Sequence, residues 1–288
     1  MRRAIQGDIL TAWVNEDITH LDLTTHLLEI GDRPARAAFY ARDAGIACGT
    51  EEAINICEKE GIQVISFLHS GDPIEAHTPF FVMEGRFDAL NAIVKVLQNI
   101  FEYAGGIASR TDQMVRRAKA VNPKINVLTT RKVFPGTKAL SIKAILSGGA
   151  YPHRLGLSET ILLFKQHIDF VGGFEGLKTA IPKIHEKDCE KPILVEVTNE
   201  ADALSVAELP IYGIQYDKLP PETLTAIIKK VRLINPKLVH LAAGGINLNN
   251  VETYVNTGAD GLVTTSLYFG KPLDVGVKFT PVTAQSKI

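Results

Sequence analysis

The chain has 288 residues, 45% of them hydrophobic, enough for a sizeable core in one large or two ordinary domains. Thirty-one basic residues stand against 32 acidic ones for a formal net charge of -1. That balance excludes a global field for nucleic acid or an anionic membrane, so any basic site must be local. No apolar run approaches the roughly 20 residues of a membrane span. Met1, Arg2 and Arg3 lead into mixed polarity rather than an apolar signal core, so the expected location is the cytoplasm. Cys48, Cys57 and Cys189 are odd in number, widely spaced and without a C-x-x-C, which argues against a disulfide framework or a thiolate zinc site. They are expected to be ordinary packing residues.

In chain order, short β-type runs come first, at residues 37 to 40, 62 to 68 and 79 to 83, separated by Gly45, Gly49, Gly61 and Gly71. A helical pattern lies between the first two, so this part reads α+β. Over residues 88 to 104, Leu90, Ile93, Val94, Leu97, Ile100, Phe101 and Ala104 recur at helical spacing and define one apolar face. Lys95 points off it. The pattern changes near residue 106, which predicts a boundary there, with an N-terminal α+β domain over 1–106 and a second domain over 107–288, the C-terminal tail able to pack back on the first.

From about residue 124 the chain alternates. Strand-like runs at 125 to 128, 161 to 164, 193 to 197, 213 to 216, 238 to 243 and 261 to 264 are separated by helical stretches, as from Pro221, where Leu224, Ile227, Ile228 and Val231 form one stripe. A further short strand is expected at 146 to 150. This alternation means parallel strands with helical crossovers, in a doubly wound sheet or a β/α barrel, with the barrel preferred.

In a barrel the chemistry collects at the C-terminal ends of the strands. Thr130, Arg131 and Lys132 follow the first run, His153 and Arg154 follow the Gly148-Gly149 turn, and Lys165 and His167 end the run from Ile161. Glu196 lies in a Val-Glu-Val stretch and Asp217 closes the next run. Leu241 to Ala243 leads into Gly244, Gly245, Ile246 and Asn247, read as a strand, a glycine pair and a helix start, and Val263 leads into Thr264, Thr265 and Ser266. Backbone N–H groups at such turns suit phosphate, so a phosphorylated ligand is expected. Taken singly, a Gly-Gly pair is ordinary turn chemistry and an Arg-Lys or His-Arg pair a solvated loop. Glu196 is harder to dismiss, because a carboxylate in a buried parallel strand needs a metal, a cation or a proton. The recurrence in phase with the strands favours one shared site.

Thr130-Arg131-Lys132 with Pro135-Gly136 and Lys138, then Gly148-Gly149 and His153-Arg154-Leu155-Gly156-Leu157, resemble the signature of the quinolinate phosphoribosyltransferase family. The likeness runs from Asp22-Leu23-Thr24-Thr25 through Gly106-Ile107-Ala108 to Gly244-Gly245-Ile246 and Thr257-Gly258-Ala259-Asp260, nearly the whole chain. Leu157-Ser158-Glu159-Thr160-Ile161-Leu162 and Lys271-Pro272 look like its ModD branch, often associated with molybdate transport operons.

The resemblance implies an α/β sandwich beside an incomplete parallel β/α barrel of roughly seven strands, working as homodimers in which one subunit's sandwich covers the other's barrel mouth. It implies a reaction joining phosphoribosyl pyrophosphate (PRPP) to a pyridine dicarboxylate, a nitrogen heterocyclic carboxylate, with Mg2+ and release of pyrophosphate and carbon dioxide. Carried over residue by residue, Glu196 and Asp217 hold the ribose hydroxyls and the metal, and Lys132 faces the donor. Arg131, His153 and Arg154 surround the acceptor, while Gly244, Gly245 and Thr265 belong to the phosphate loops. Lys95 aligns with an arginine that reaches the neighbouring subunit's acceptor site.

The departures from the family pattern lie mostly on the acceptor side. Phe164-Lys165-Gln166-His167 stands where Lys-Asp-Asn-His is usual, Ala243 replaces a serine and Thr265 a glycine. An altered acceptor is therefore expected. The alternatives are the carboxylating nicotinate-nucleotide diphosphorylase of NAD biosynthesis, which Phe164 and Lys165 oppose, and a non-catalytic oxyanion-binding accessory of molybdate transport, which two retained carboxylates oppose. A lyase using Lys165 as a Schiff base would need that lysine desolvated.

Overall fold

The structure is a computed structural model that describes residues 5 to 18 and 20 to 282; the opening Met1, Arg2 and Arg3 lie outside the described residues. In chain order the first elements are α1 (Gly7–Asp17), α2 (Leu23–Leu27), β1 (Pro34–Ala41), β2 (Gly45–Ile46), α3 (Thr50–Lys59), β3 (Gln63–Phe67), β4 (Pro73–Ile74), β5 (Pro79–Arg86) and α4 (Phe87–Val121). Then come β6 (Asn126–Thr129), α5 (Lys138–Ser147), β7 (Tyr151–Pro152), β8 (Ile161–Leu163), α6 (Lys165–Phe170), α7 (Gly173–Lys187), β9 (Ile193–Val197) and α8 (Glu200–Ala207). The last are β10 (Gly213–Asp217), α9 (Pro221–Ile234), β11 (Val239–Ala243), α10 (Val251–Val255), β12 (Gly261–Thr264) and β13 (Val275–Pro281).

Two compact units emerge, one built from the chain up to Asp112 with Phe134–Gly149 and the stretch from Tyr268, the other from Gln113–Val133 and Ala150–Leu267. The first unit carries the antiparallel sheet β13-β1-β5-β3. Its core joins Phe39, Phe81 and Phe101, whose rings meet edge-on or tilted, to Leu90, Ile93 and Leu97 of α4. Phe101 and these α4 residues belong to the apolar face predicted from spacing, and all of them are buried.

The second unit is a seven-stranded parallel sheet in the order β7-β6-β12-β11-β10-β9-β8, with helical crossovers. The fold class is thus α/β, an incomplete parallel barrel with an N-terminal α+β sandwich domain. Strand side chains alternate between faces, and the inward set is visible in the cluster of Leu162, Leu194, Leu241, Ala243 and Val263, against which Leu128, Phe164 and Val239 pack. Counting by twos from that cluster places Glu196 on the face of Leu194. Helix α9 buries Leu224, Ile227, Ile228 and Val231, the stripe predicted from spacing.

Three expectations need correction. The short strand expected at 146 to 150 lies at Tyr151–Pro152, because residues 146 and 147 complete the last turn of α5 and Gly149, at φ 86, turns the chain. The Gly244-Gly245 pair does not open a helix: residues 244 to 250 form a loop and α10 starts only at Val251. Of the three cysteines, Cys48 and Cys57 are buried packing residues but Cys189 is exposed, and all three are free. The pattern change near residue 106 falls inside α4, which is continuous from Phe87 to Val121 through Gly105 and Gly106. Among the described residues no helix is long and apolar enough to cross a membrane.

Candidate functional site

A cavity of about 560 Å3 opens at the C-terminal ends of the barrel strands and is lined by residues that follow six of them. Its floor is the apolar cluster of the barrel interior, through Leu162, Ala243 and Val263, with Phe164 beside it. Above that floor the strand ends contribute polar groups of different kinds.

Adjacent strands β9 and β10 bring the two acids. Gln215 pairs in register with Glu196, and its side-chain amide donates to the Glu196 carboxylate at 2.6 Å. Two residues on, Asp217 closes β10 and its carboxylate lies 3.5 Å from the Lys218 ammonium. Glu196 is half-buried, and desolvation, reinforced by the negative charge of Asp217, raises its carboxyl pKa above the ordinary carboxylate value. Lys132 and Lys218 act in the opposite sense. A pair of acids held this way favours a cation or a hydroxyl-bearing ligand between them.

Backbone strain marks the same place. Lys218 adopts φ 56, a left-handed conformation uncommon for a side chain of this kind, and its N–H donates to the Ala243 carbonyl at 2.8 Å. Gly244 follows at φ 84, and a Cβ there would lie 2.8 Å from the Asp217 carboxylate and 2.9 Å from the Lys218 backbone nitrogen. Glycine is therefore required at 244 on two counts, conformation and close approach. The Gly245 carbonyl accepts from the side-chain amides of Asn247 and Asn250, both at 3.1 Å, which pins the loop.

Beyond it, β12 and β6 end in a hydroxyl cluster. The Thr264 hydroxyl donates to the Ile246 carbonyl at 2.6 Å and accepts from the Ser266 N–H, while the Thr130 and Thr265 hydroxyls lie 2.7 Å apart. Arg131 and Lys132 follow, both exposed. At the sheet edge past β6, His153 and Arg154 leave β7. Burial and the neighbouring Arg154 push the His153 imidazole pKa below its ordinary value.

Of the sequence-predicted residues, Arg131, Lys132, His153, Arg154, Glu196, Asp217, Gly244, Gly245 and Thr265 all line this cavity. Lys165 does not: it is the first residue of α6, 82% exposed at its side chain, and it pairs with Asp169 one turn on. Lys95 belongs to the first unit, where its ammonium donates to the Gln98 side chain at 2.9 Å. Sequence reasoning passed over Lys218 and Gln215. The signal for Gln215 was present, since it is two residues before Asp217 and so shares its face. That for Lys218 was not, because a left-handed turn after a strand has no residue signature when the residue is lysine.

Carboxylates, a strained glycine loop, hydroxyls and arginines at the mouth of a parallel barrel define an enzyme of the class that handles phosphorylated, anionic substrates at barrel strand ends. The sequence model described as quinolinate phosphoribosyl transferase, C-terminal domain, matches residues 107–278, and that of the N-terminal domain matches 22–104. The chain belongs to the quinolinate phosphoribosyl transferase family and is an enzyme of phosphoribosyltransferase type. It is 37% identical to the ModD protein of Rhodobacter capsulatus over 224 residues, covering 78% of this chain and 86% of that one. With the ModD protein of Pasteurella multocida it shares 32% over 264 residues, 91% and 93% of the two chains. Its fold superposes on the crystal structure of NadC from Streptococcus pyogenes with a TM-score of 0.86 at 25% identity, over 96% of each chain.

Proposed function

We propose that this chain transfers phosphoribose from PRPP, or a closely similar sugar phosphate, to a nitrogen heterocyclic carboxylate, releasing pyrophosphate. The observation that carries the reading is the convergence of Glu196, Asp217, Lys132 and the Gly244-Gly245 loop on one cavity. Glu196 and Asp217 suit the ribose hydroxyls and the positive charge that builds on the ribose carbon as the leaving group departs. Lys132 and Lys218 suit the diphosphate, and the hydroxyls of Thr265 and Ser266 suit a terminal phosphate. Arg131 and Arg154 are left for the acceptor carboxylate. No general base is required of the protein, since a ring nitrogen can attack directly.

Magnesium is part of this proposal. Among the described residues no cluster of three or more ligating groups exists, so the chain offers at most the Glu196 and Asp217 pair. That donor set fits an ion that keeps several waters and takes oxygens from substrate phosphates, and a cation would offset the desolvation and the neighbouring Asp217 charge that oppose ionisation of Glu196. When bound, magnesium would screen charge developing on pyrophosphate. The protein is further proposed to act as a homodimer, with Lys95 serving the neighbouring site.

A second reading, a nicotinate-nucleotide diphosphorylase (carboxylating) of NAD biosynthesis, draws on Arg131 and Arg154 in the same cavity. One assay addresses both. Pyrophosphate release from PRPP is followed with magnesium while quinolinate, nicotinate and related heterocyclic acids are offered in parallel. Release stimulated by one acceptor is expected, and Glu196→Ala and Asp217→Ala should each abolish it. Equal release in the wild type and both variants would refute the site.

A further inference from the structure

Glu196 and Asp217 face the cavity from neighbouring strands but are held by different means. The Asp217 carboxylate has the Lys218 ammonium 3.5 Å away and the Gly244 backbone close against it. No ion pair reaches Glu196 among the described residues, and its one hydrogen bond there comes from the side-chain amide of Gln215, whose Nε2 lies 2.6 Å from Oε2. Gln215 is only 6% exposed and stands in register between Glu196 on β9 and Leu241 on β11, a member of the apolar floor. An amide is costly to bury in such a place unless it is bonded. The bond to Glu196 is the only one its side chain makes among the described residues, so the two side chains form one unit on the cavity wall.

Gln215 takes one carboxylate oxygen, Oε2, and leaves Oε1 for a ligand. Because an amide is neutral, it fixes the group without cancelling its charge, whereas a lysine or arginine in its place would do both. Lys132 and Lys218 act on Glu196 through space, without an ion pair. A free carboxylate turns readily about its terminal torsion, whose energy wells are broad. A charge that must reorient as a reaction proceeds stabilises less than one already in place. From this arrangement, and resting on the transferase reading of the same cavity, we propose that Gln215 is a positioning residue: it locks the Glu196 carboxylate with Oε1 left for the ribose and its full charge left for the carbon from which pyrophosphate departs. The effect belongs to the transition state, where positive charge builds on that carbon, so it falls on turnover more than on donor binding.

The test uses Gln215→Met, which keeps the length of the side chain and suits the apolar floor but removes the donor. With PRPP, magnesium and an acceptor that supports release, it should lower kcat about 10-fold while the KM for PRPP changes less than about 2-fold. Gln215→Asn, polar but one methylene too short to reach, should show the same split. Glu196→Asp draws the carboxylate back from Gln215, so adding Gln215→Met to it should lower kcat no further, whereas a merely structural role would subtract the same factor from both backgrounds. Unchanged kcat in a folded Gln215 variant, a loss carried by KM, or additive losses with Glu196→Asp would overturn the inference. Crystal structures of the ligand-free wild type and Gln215→Met decide it apart from the reaction: the Glu196 carboxylate should leave its wild-type position in the variant, and an undisplaced carboxylate would refute the positioning role whatever the activity. Displacement of Glu196 in a protein that releases no pyrophosphate from PRPP with any acceptor would retain the hold of Gln215 on Glu196 and refute the transferase reading.

Discussion

At the scale of single residues, the two glycines of the loop after β11 make different demands. Gly244 and Gly245 both have positive φ, 84 and 75, but a Cβ at 244 would strike Asp217 and the Lys218 backbone, whereas at 245 nothing lies within 4 Å. Gly245→Ala should therefore cost only the conformational strain, roughly 1–2 kcal/mol, read as a lower urea midpoint at unchanged slope. Gly244→Ala carries the same strain and must also displace Asp217, and a displacement near 1 Å costs on the order of 100-fold in turnover. Similar losses of activity in the two variants would show that the close approach at 244 is immaterial. This level was well legible in sequence where a residue type has few uses, as with Glu196 in a buried strand. It was poorly legible where the partner decides, as with Lys165, whose ammonium is taken by Asp169.

Elements were read best where burial is one-sided. The stripes of α4 and α9 and the strands β9 and β12 emerged from periodicity alone, because a buried face imposes its period on the sequence. Periodicity failed for β7, whose two residues are too few to show a period. It also failed to announce how α5 is held. Lys143 lies fully buried in that helix, its ammonium bonded to Glu51 at 2.7 Å and to Glu52, both on α3. Desolvation opposes its charge, yet the two glutamates outweigh that and raise its pKa. Glu51 is further bound by Ser70 through both N–H and hydroxyl. A lone lysine among Ile142, Ala144 and Ile145 gives no hint of partners some 90 positions upstream. Removing one member of such a buried set leaves charges unpaired, so Lys143→Met should cost about 3–5 kcal/mol. Adding Glu51→Gln and Glu52→Leu should recover most of that in urea unfolding. If the triple variant is no more stable than the single one, the unpaired glutamates are not the source of the loss.

For the whole molecule, alternation of strand and helix made the parallel barrel and its strand-end chemistry legible, and family resemblance supplied the sandwich. The division of the chain was harder, because α5 joins the first unit from distant sequence and only its tertiary partners reveal it. The proposed dimer has its own test: mixing inactive Lys95→Ala and Glu196→Ala chains should restore activity, to about a quarter of wild type if half the dimers are mixed and each has one complete site. No recovery would remove Lys95 from the neighbour's site. The two units also differ in what acid does to them. In the barrel unit His240 is fully buried beside Tyr216, whose hydroxyl lies 2.9 Å from Nδ1, and burial lowers its pKa from 6.5 to about 4. The unfolded chain takes up this proton near pH 6.5 but the folded one only near pH 4, so the stabilisation is complete above 6.5 and is lost as pH falls between those values. A shift of this size corresponds to roughly 3 kcal/mol. In the sandwich unit burial opposes ionisation of Glu51, but bonds from Lys143 and Ser70 outweigh it and lower the pKa from 4.5 to about 2, so its stabilisation persists until pH falls below 4.5. Acidification from pH 7 to 5 should therefore weaken the barrel first. Trp13, the only tryptophan, packs on the sandwich core, so its fluorescence should keep its urea midpoint over that range while the midpoint by far-ultraviolet circular dichroism falls. His240→Gln should flatten the second response. Midpoints that move together would mean that the two units unfold as one cooperative body, with the histidine acting on both.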